Sequence, residues 1–324
     1  MSKFKVGIIG CGDIGFLFDH KKKIKGALTH FKAFNDSSGF SVNAVSDINV
    51  KTVQVIRKKY KIPVYIDYRK MLDEHNFDVI VIATNDESHI EILKDAVKYK
   101  PKLVFCEKPL GLNYEEIKDI VSVYKKEKIL LQVNYTRRFL DEFAFIEEII
   151  KKEKIGKIES MTFYYSRGLI HNASHYIDLI NRYIGETEKN LIKVSVKKGI
   201  SKTDETVSFD MIYKNGQEVR FIGLEPSKLS FAEVDFIGTN GRVRLNYKNE
   251  IEIYKITKNK LFKGYSVYEM TECKKIDYAK ALPNAIENIC KVLEGKEKMK
   301  SPAENSLKVF ELINRINNKS ICQN

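Results

Sequence analysis

The tightest constraint on the fold lies at the start of the chain, where an apolar run from Phe4 to Ile9 leads directly into Gly10-Cys11-Gly12-Asp13-Ile14-Gly15. A run of strand-forming residues ending in G-x-G-x-x-G reads as a strand handing over to a helix. Each glycine has its own reason to be there. The first permits a tight turn, the second lets backbone approach a pyrophosphate, and the third lets the helix pack closely on the strand. An anion held there would face the N-terminus of a helix, where backbone N–H groups and the macrodipole favour negative charge.

The residues beyond this turn strengthen that reading. Strand patterns over 4–9, 40–46, 64–66, 79–83 and 103–106 alternate with helical patterns over 50–60, 68–73 and 88–99. Strands alternating with helices imply right-handed crossovers and a parallel sheet. After about Asn113 the character changes. Helices are expected over 114–127 and 140–153 with a strand over 129–133 between them. A series of period-two strands then runs over 158–166, 192–196, 206–213, 218–224, 232–237, 243–247 and 251–256. Asn215-Gly216 and Asn240-Gly241 are hairpin signals. Helices are expected over 171–183, 278–293 and 303–316, the last introduced by Ser301-Pro302. The expected fold class is α/β, with a Rossmann dinucleotide-binding domain over 1–119. An α+β domain with a mostly antiparallel sheet, serving substrate binding and dimerisation, is expected over 120–324.

Composition removes several classes of function. With 43% hydrophobic residues, 324 residues build a sizeable core. Apolar runs stop at five or six residues, as in Val79-Ile80-Val81-Ile82-Ala83, far too short to cross a bilayer. The start of the chain has no long apolar stretch of the kind a signal peptide needs. Five scattered cysteines, Cys11, Cys106, Cys273, Cys290 and Cys322, contain no C-x-x-C pair, which suits a reduced, cytoplasmic setting. The net charge of +13 is dispersed, and Lys21-Lys22-Lys23 is the single run of three. Clustering, not the total, makes an electrostatic footprint, so neither a nucleic-acid nor a membrane partner is expected. The excess still suits an anionic, phosphate-bearing substrate.

Asp47 ends the second strand. A carboxylate there accepts hydrogen bonds from ribose hydroxyls and repels a 2′-phosphate, which favours NAD over NADP. Two points stay open. Asp47 lies further from Gly15 than the common spacing of about 20 residues, and capping the next helix is its other available role; Lys51 nearby keeps NADP admissible.

Several segments together resemble the glucose–fructose oxidoreductase, inositol dehydrogenase and MocA (Gfo/Idh/MocA) family. Ala83-Thr84-Asn85-Asp86-Glu87-Ser88-His89 resembles its loop after the fourth strand, without the proline usual there, and Glu107-Lys108-Pro109 matches its signature after the next strand. Asn134-Tyr135-Thr136-Arg137-Arg138-Phe139 resembles the opening of its second domain, His175-Tyr176-Ile177-Asp178-Leu179 its helix with the catalytic histidine, and Phe236-Ile237-Gly238-Thr239-Asn240-Gly241 its glycine-bracketed hairpin. The resemblance runs in order along essentially the whole chain. It implies a dehydrogenase or reductase moving a hydride to or from a secondary hydroxyl of a sugar, cyclitol or nucleotide-linked sugar. It also implies NAD as cofactor, no metal, and a dimer or tetramer formed through the C-terminal sheet.

The glycine turn and Asp47, read from the residues themselves, and the family-like segments together place cofactor contacts at Gly10, Gly12, Asp13, Ile14, Gly15, Asp47, Thr84, Asn85, His89, Glu107 and Lys108. The resemblance makes Lys108 and His175 the catalytic pair, both touching substrate; further substrate contacts are expected at Asn134, Arg138, His171 and Asp178, where Arg138, with Arg137, either holds a substrate carboxylate or phosphate or pairs with acidic neighbours. The chemistry suits those types. An imidazole takes a hydroxyl proton near neutral pH, and an ammonium steadies developing alkoxide charge. One departure stands out: dehydrogenase members often carry aspartate four residues before the histidine, and here that position is His171. Three roles for His171 stay open: replacing the aspartate, binding substrate, or facing phosphate. His171, His175 and Asp178 also have spacing that suits a metal, although spacing suggests no fourth ligand. Asp178 either orients His175, binds a hydroxyl, or is a surface acid. His30 is either at the cofactor-site entrance or a packed histidine, and Tyr164, Tyr165 and Tyr176 either wall a sugar site or pack the sheet. The same departure keeps a non-enzymatic NAD-bound regulator in view, alongside an epimerase or lyase that cycles NAD internally.

Overall fold

In the computed structural model, residues 3–21, 25–185, 188–201, 204–213, 216–225 and 231–321 are described. Most of the Lys21–Lys23 run, Asn215 of one hairpin signal, and Cys322 lie outside them. The chain forms two compact units. One comprises the residues up to Leu140 together with Asp277–Lys308, the other Asp141–Ile276 together with the residues from Val309 onward.

The first unit carries six parallel strands. They are β1 (Phe4–Ile9), β2 (Phe40–Ser46), β3 (Val64–Tyr65), β4 (Val79–Ile82), β5 (Leu103–Cys106) and β6 (Leu130–Val133), in the order β3-β2-β1-β4-β5-β6. That order reverses beside β1, which opens a crevice at the carboxyl ends of the strands. Strands β4 and β5 are apolar throughout and fully buried, as a sheet covered on both faces requires. Helices α1 (Phe18–Lys21), α2 (His30–Asp36), α3 (Val50–Tyr60), α4 (Tyr68–Glu74), α5 (His89–Ala96) and α6 (Tyr114–Lys126) connect them.

The segment between the glycine turn and β2 is longer than the simplest pattern. A π-helical turn at Asp13–Leu17 runs into α1, and a second helix, α2, begins at the Thr29 cap, whose hydroxyl accepts from Lys32 N. These inserted residues set Asp47 so far from Gly15 in sequence.

The expected division after residue 119 is not where the contacts divide. β6 pairs in parallel with β5 through Leu103–Leu130 to Cys106–Val133 and completes the first sheet. The chain also returns: α9 (Ala281–Leu293) buries Leu282, Ala285, Ile286 and Ile289 in one apolar cluster with Val6, Phe34 and Phe40. A boundary drawn from the change in local pattern misses both, because neither pairing is local in sequence.

The second unit is an eight-stranded sheet in the order β14-β13-β12-β11-β7-β10-β9-β8, with β7 (Ile158–Tyr165) parallel to β10 (Glu218–Gly223) and every other pair antiparallel. The remaining strands are β8 (Glu188–Ser201), β9 (Asp204–Tyr213), β11 (Ala232–Gly238), β12 (Gly241–Leu245), β13 (Glu250–Lys258) and β14 (Ser266–Lys275). Burial alternates along β7, β9 and β10, so one face of the sheet is packed. Phe221 is fully buried between two stacked rings, Phe163 at 4.7 Å and Phe209 at 4.4 Å. Helices α7 (Asp141–Lys151) and α8 (Ser174–Tyr183) belong to this unit, and α10 (Ala303–Asn317) closes the chain. Asn240-Gly241 joins β11 to β12 as its hairpin signal predicts. Strand β14 was not expected. All ten of its residues are exposed, so it has no apolar alternation to announce it.

Phe221→Ala removes the ring at the centre of this stack, and large-to-small changes of that kind cost about 3–5 kcal/mol. Denaturant unfolding of wild type and variant measures the difference; a loss below about 1 kcal/mol would mean that the stack is not central to the second unit's stability.

Candidate functional site

The glycine turn is fixed by collisions that a side chain would make. Gly10 adopts φ +93°, and a Cβ there would strike the Ala83 carbonyl. A Cβ at Gly15 would strike the Gly10 carbonyl. Gly12 differs: its φ is −67°, and a Cβ there would meet no protein atom within 4 Å. Fold packing therefore excludes side chains at Gly10 and Gly15 but gives no reason for glycine at position 12. Gly12 instead lines a cleft of about 470 Å³ with Gly10, Asp47, Thr84 and Asn85, at the carboxyl ends of β1, β2 and β4. A glycine required by nothing inside the protein and facing an open cleft leaves its backbone open to close approach by a group in that cleft. Asp13 and Ile14 stand exposed on the same turn.

Asp47 sits at the rim of this cleft. Its Oδ2 accepts from Cys11 N at 2.6 Å and its Oδ1 from Asn49 N at 2.7 Å. The cap of α3 is Asn49, whose side chain accepts from Lys51 N and Thr52 N, so the capping alternative for Asp47 does not hold. Burial, and then the Asp47 charge, push the Cys11 thiol far up, which makes it an inert packing group. Ile48 and Ile66, 87% and 55% exposed, give the cleft an apolar wall.

Beyond β4 and β5 the loops are tied together. Ser88 donates toward Thr84 Oγ1 and the Asn85 carbonyl, both at 2.8 Å. His89 is fully buried, with Nδ1 2.7 Å from the Pro109 carbonyl and Nε2 3.2 Å from that of Thr84. It braces the two loops and does not line the cleft, unlike the direct contact expected of it.

Glu107 lies beneath this layer, 8% exposed. Its Oε1 is 2.6 Å from His30 Nε2 and accepts from Asn134 Nδ2 at 2.7 Å. Burial pushes the Glu107 carboxyl up, but the His30 and Asn134 hydrogen bonds and the nearby His30 and Lys108 outweigh it and hold it below its ordinary value. His30 is therefore a packed histidine with a defined task, and its ring lies edge-on to Phe105 at 5.2 Å. Asn134, expected at the substrate, commits its amide NH2 to Glu107. Arg138 donates from Nη1 to the Lys300 carbonyl at 3.2 Å. Lys108, half-buried, follows Glu107 directly.

In the second unit, His171 lies in a π-helical turn (Leu169–Ala173) that runs into α8, and His175 stands on the first turn of that helix. His171 Nδ1 is 2.5 Å from Asp204 Oδ2, on β9. Asp178 is 1% exposed, which excludes the surface-acid reading. Tyr165 and Tyr176 are buried packing residues, and Tyr165 donates its hydroxyl to the Val207 carbonyl. Among the described residues, no group of three or more His, Cys, Asp or Glu side chains is arranged to hold a metal ion.

Residues 4–135 match the model of an oxidoreductase family with an NAD-binding Rossmann fold. That model is the one of the Gfo/Idh/MocA family. Relatives in that family include the inositol 2-dehydrogenase/D-chiro-inositol 3-dehydrogenase of Lactiplantibacillus plantarum, 29% identical over 208 residues, which are 60% of this chain and 56% of that one. An inositol 2-dehydrogenase of Salmonella typhimurium is 30% identical over 47% of this chain and 43% of its own. The chain thus spans about half the length of these relatives. Among solved structures, the WlbA dehydrogenase of Bordetella pertussis, in complex with NADH and UDP-GlcNAcA, superposes with a TM-score of 0.76 at 16% identity, covering 98% of this chain and 96% of that one. An oxidoreductase of Agrobacterium radiobacter, in complex with NAD+, L-tartaric acid and magnesium, gives 0.75 at 16% identity, covering 98% and 97%. These two establish a shared fold over nearly the full length.

One residue and one pairing in these arrangements had no signal in the sequence. Asp204 carries no motif and reaches His171 across 33 residues. The link from His30 to Glu107 spans 77.

Glu107 also makes stability depend on pH. Its folded-state value is lowered, so its contribution is fully present above the ordinary carboxyl value of 4.5 and is lost as pH falls below that through the folded value. Glu107→Gln should flatten this acid-side loss. Urea unfolding at neutral pH and below pH 4.5 measures it, and equal slopes in variant and wild type would assign the effect elsewhere.

Proposed function

We propose that the chain is an NAD-dependent oxidoreductase that moves a hydride to or from a secondary hydroxyl of a sugar, cyclitol or nucleotide-linked sugar. The observation that carries this is Gly12, a glycine the fold does not need, open to a cleft with Asp47 at its rim. The names of the inositol-dehydrogenase relatives and the UDP-GlcNAcA complex of WlbA support the substrate class.

In this reading the pyrophosphate lies on the turn of Gly10, Gly12 and Gly15, and Asp47 accepts from the adenosine ribose hydroxyls. Its charge disfavours a 2′-phosphate, so NAD is preferred over NADP. Ile48 and Ile66 cover the adenine. Thr84 and Asn85 line the path of the dinucleotide toward its nicotinamide end. The nicotinamide, when bound, supplies the hydride-accepting chemistry. Lys108 holds the substrate oxygen and steadies its growing negative charge, and His175 receives the hydroxyl proton. Glu107, locked by His30 and Asn134, fixes the backbone from which Lys108 projects. Asp178 and Arg138 belong to the polar surroundings of the substrate.

The exposed side chains of Val267, Tyr268 and Met270 on the edge strand β14 are the surface we assign to pairing between copies. Free thiols at Cys11, Cys106, Cys273 and Cys290 suit a reducing compartment such as the cytoplasm. No helix among the described residues is long and apolar enough to cross a membrane.

Quenching of protein fluorescence by NADH, and then NAD+ reduction with a panel of cyclitols, aldoses and nucleotide sugars, tests the reading. Gly12→Ala should weaken NADH binding by on the order of tenfold or more while leaving the melting temperature near that of wild type, because its Cβ meets no protein atom. Lys108→Ala and His175→Ala should each lower turnover by about 10²–10⁴-fold with the fold intact. Absence of NADH binding to the wild-type chain would end this reading, and near-normal turnover in both single variants would remove the assigned pair.

A further inference from the structure

One row of the first sheet ends in a polar side chain that no described residue receives. In register the row runs Val45, Ile8, Val81, Phe105 and Gln132 across β2, β1, β4, β5 and β6. The first four are buried in one apolar cluster. Gln132 is 0% exposed, and among the described residues neither its Nε2 nor its Oε1 has a hydrogen-bond partner. Two neighbours share that condition. Asn134 donates from Nδ2 to Glu107, which leaves its Oδ1 buried and unmatched. His30 places Nε2 on the same carboxylate oxygen, which leaves its Nδ1 buried and unmatched. Buried polar atoms are nearly always satisfied, so four unmatched atoms on three side chains require a partner.

The three side chains share one face of the sheet. Residues two apart along an extended strand point the same way, so Gln132 and Asn134 project from one side of β6. The Asn134 contact with Glu107 agrees, because Glu107 follows Phe105 by two residues and Phe105 is the register partner of Gln132. The His30 ring lies on that side as well, edge-on to Phe105 at 5.2 Å. All of these residues belong to the first unit.

The inventory of donors and acceptors selects the ligand. The Glu107 carboxylate only accepts, so Nε2 of His30 is the donor to it and Nδ1 of the neutral ring offers a lone pair. The unmatched atoms are therefore three acceptors, His30 Nδ1, Asn134 Oδ1 and Gln132 Oε1, and one NH2 donor, Gln132 Nε2. Three acceptors exclude an anion, and the amide NH2 group opposes a metal ion. A small neutral molecule that both donates and accepts is required. We propose that Gln132, Asn134 and His30 form a binding site for buried water, which accepts from Gln132 Nε2 and donates to the three acceptors. Buried water typically makes about three such bonds, so one or two molecules satisfy the site. The water joins the floor of β6 to the Glu107 brace and fixes which way the Asn134 amide faces. The inference goes beyond the oxidoreductase reading and does not depend on it.

A crystal structure of the full chain, at a resolution that shows ordered solvent, is the direct test. Water is expected about 2.7–3.2 Å from the Gln132 amide and from Asn134 Oδ1 or His30 Nδ1. Absence of that density overturns the proposal, and so does an ion with oxygen contacts of about 2.3–2.6 Å. Gln132→Met, unbranched and of similar size, gives a second test through the sign of its effect. If water holds the amide, the variant removes the donor and leaves Asn134 and His30 short of a partner, and the melting temperature falls by about 2–5 °C. If the amide is merely unpaired, its removal relieves a buried polar group and the melting temperature rises, which overturns the proposal. The water should be missing from the structure of Gln132→Met, and its persistence there would remove Gln132 from the site. The wild-type density decides the matter if the variant does not fold.

Discussion

Two collisions at the end of β1 organise the nucleotide side of the molecule. No side chain fits at Gly10 against the Ala83 carbonyl, nor at Gly15 against that of Gly10. These contacts bring the turn, the first helical residues and the loop after β4 within van der Waals reach of one another. The cleft exists because the backbone can pass this close, and its lining is a consequence: Gly12 in the floor, Asp47 at the rim, Thr84 and Asn85 opposite. Asp47 reinforces the arrangement by accepting from Cys11 N, which ties the end of β2 to the turn that leaves β1. A group bound in the cleft therefore meets a surface set by backbone packing and not by adjustable side chains, which is the condition for holding a charged ligand in one pose.

Each unit also contains one buried carboxylate held by one imidazole. In the first, Glu107 is fixed by His30 and Asn134 just ahead of Lys108. In the second, Asp204 is fixed by His171 and two backbone amides just ahead of α8 and His175. The environments differ in a way that separates their roles. His30 is fully buried, so the Glu107 pair is closed off and braces the backbone. His171 is more than a third exposed, so the Asp204 pair is only half enclosed. Burial of both partners gives rigidity, whereas burial of the carboxylate alone gives a directed imidazole.

Much of this was legible in the sequence. The strands of the first unit and helices α3 to α6 fall close to where their periodicity places them, and Gly10 and Gly15 make the tight turn and close packing that their spacing announces. Asp47 reached the cleft rim despite its long separation from Gly15, because the inserted π-helical turn, α1 and α2 take up the extra residues. His89 and Asn134 were expected to touch ligand, yet they bond to the Pro109 and Thr84 carbonyls and to Glu107. A residue type within a motif shows that a polar group is needed there, but not which neighbour receives it. Strand β14 was missed for a related reason. Period two marks a strand when one face is buried, and β14 buries neither.

The sequence by itself determined what is local: which segments become strands or helices, where the chain must turn through glycine, and which residue types stand near the turn. Propensity, periodicity and steric freedom act over a few residues, so their record survives in a linear string. Only the tertiary structure decided what is distant. It joined His30 to Glu107 across 77 residues and His171 to Asp204 across 33, added β6 to the first sheet, and brought α9 back onto the first core. Those pairings depend on how whole elements pack, and a buried carboxylate takes as its partner whichever donor the packing delivers.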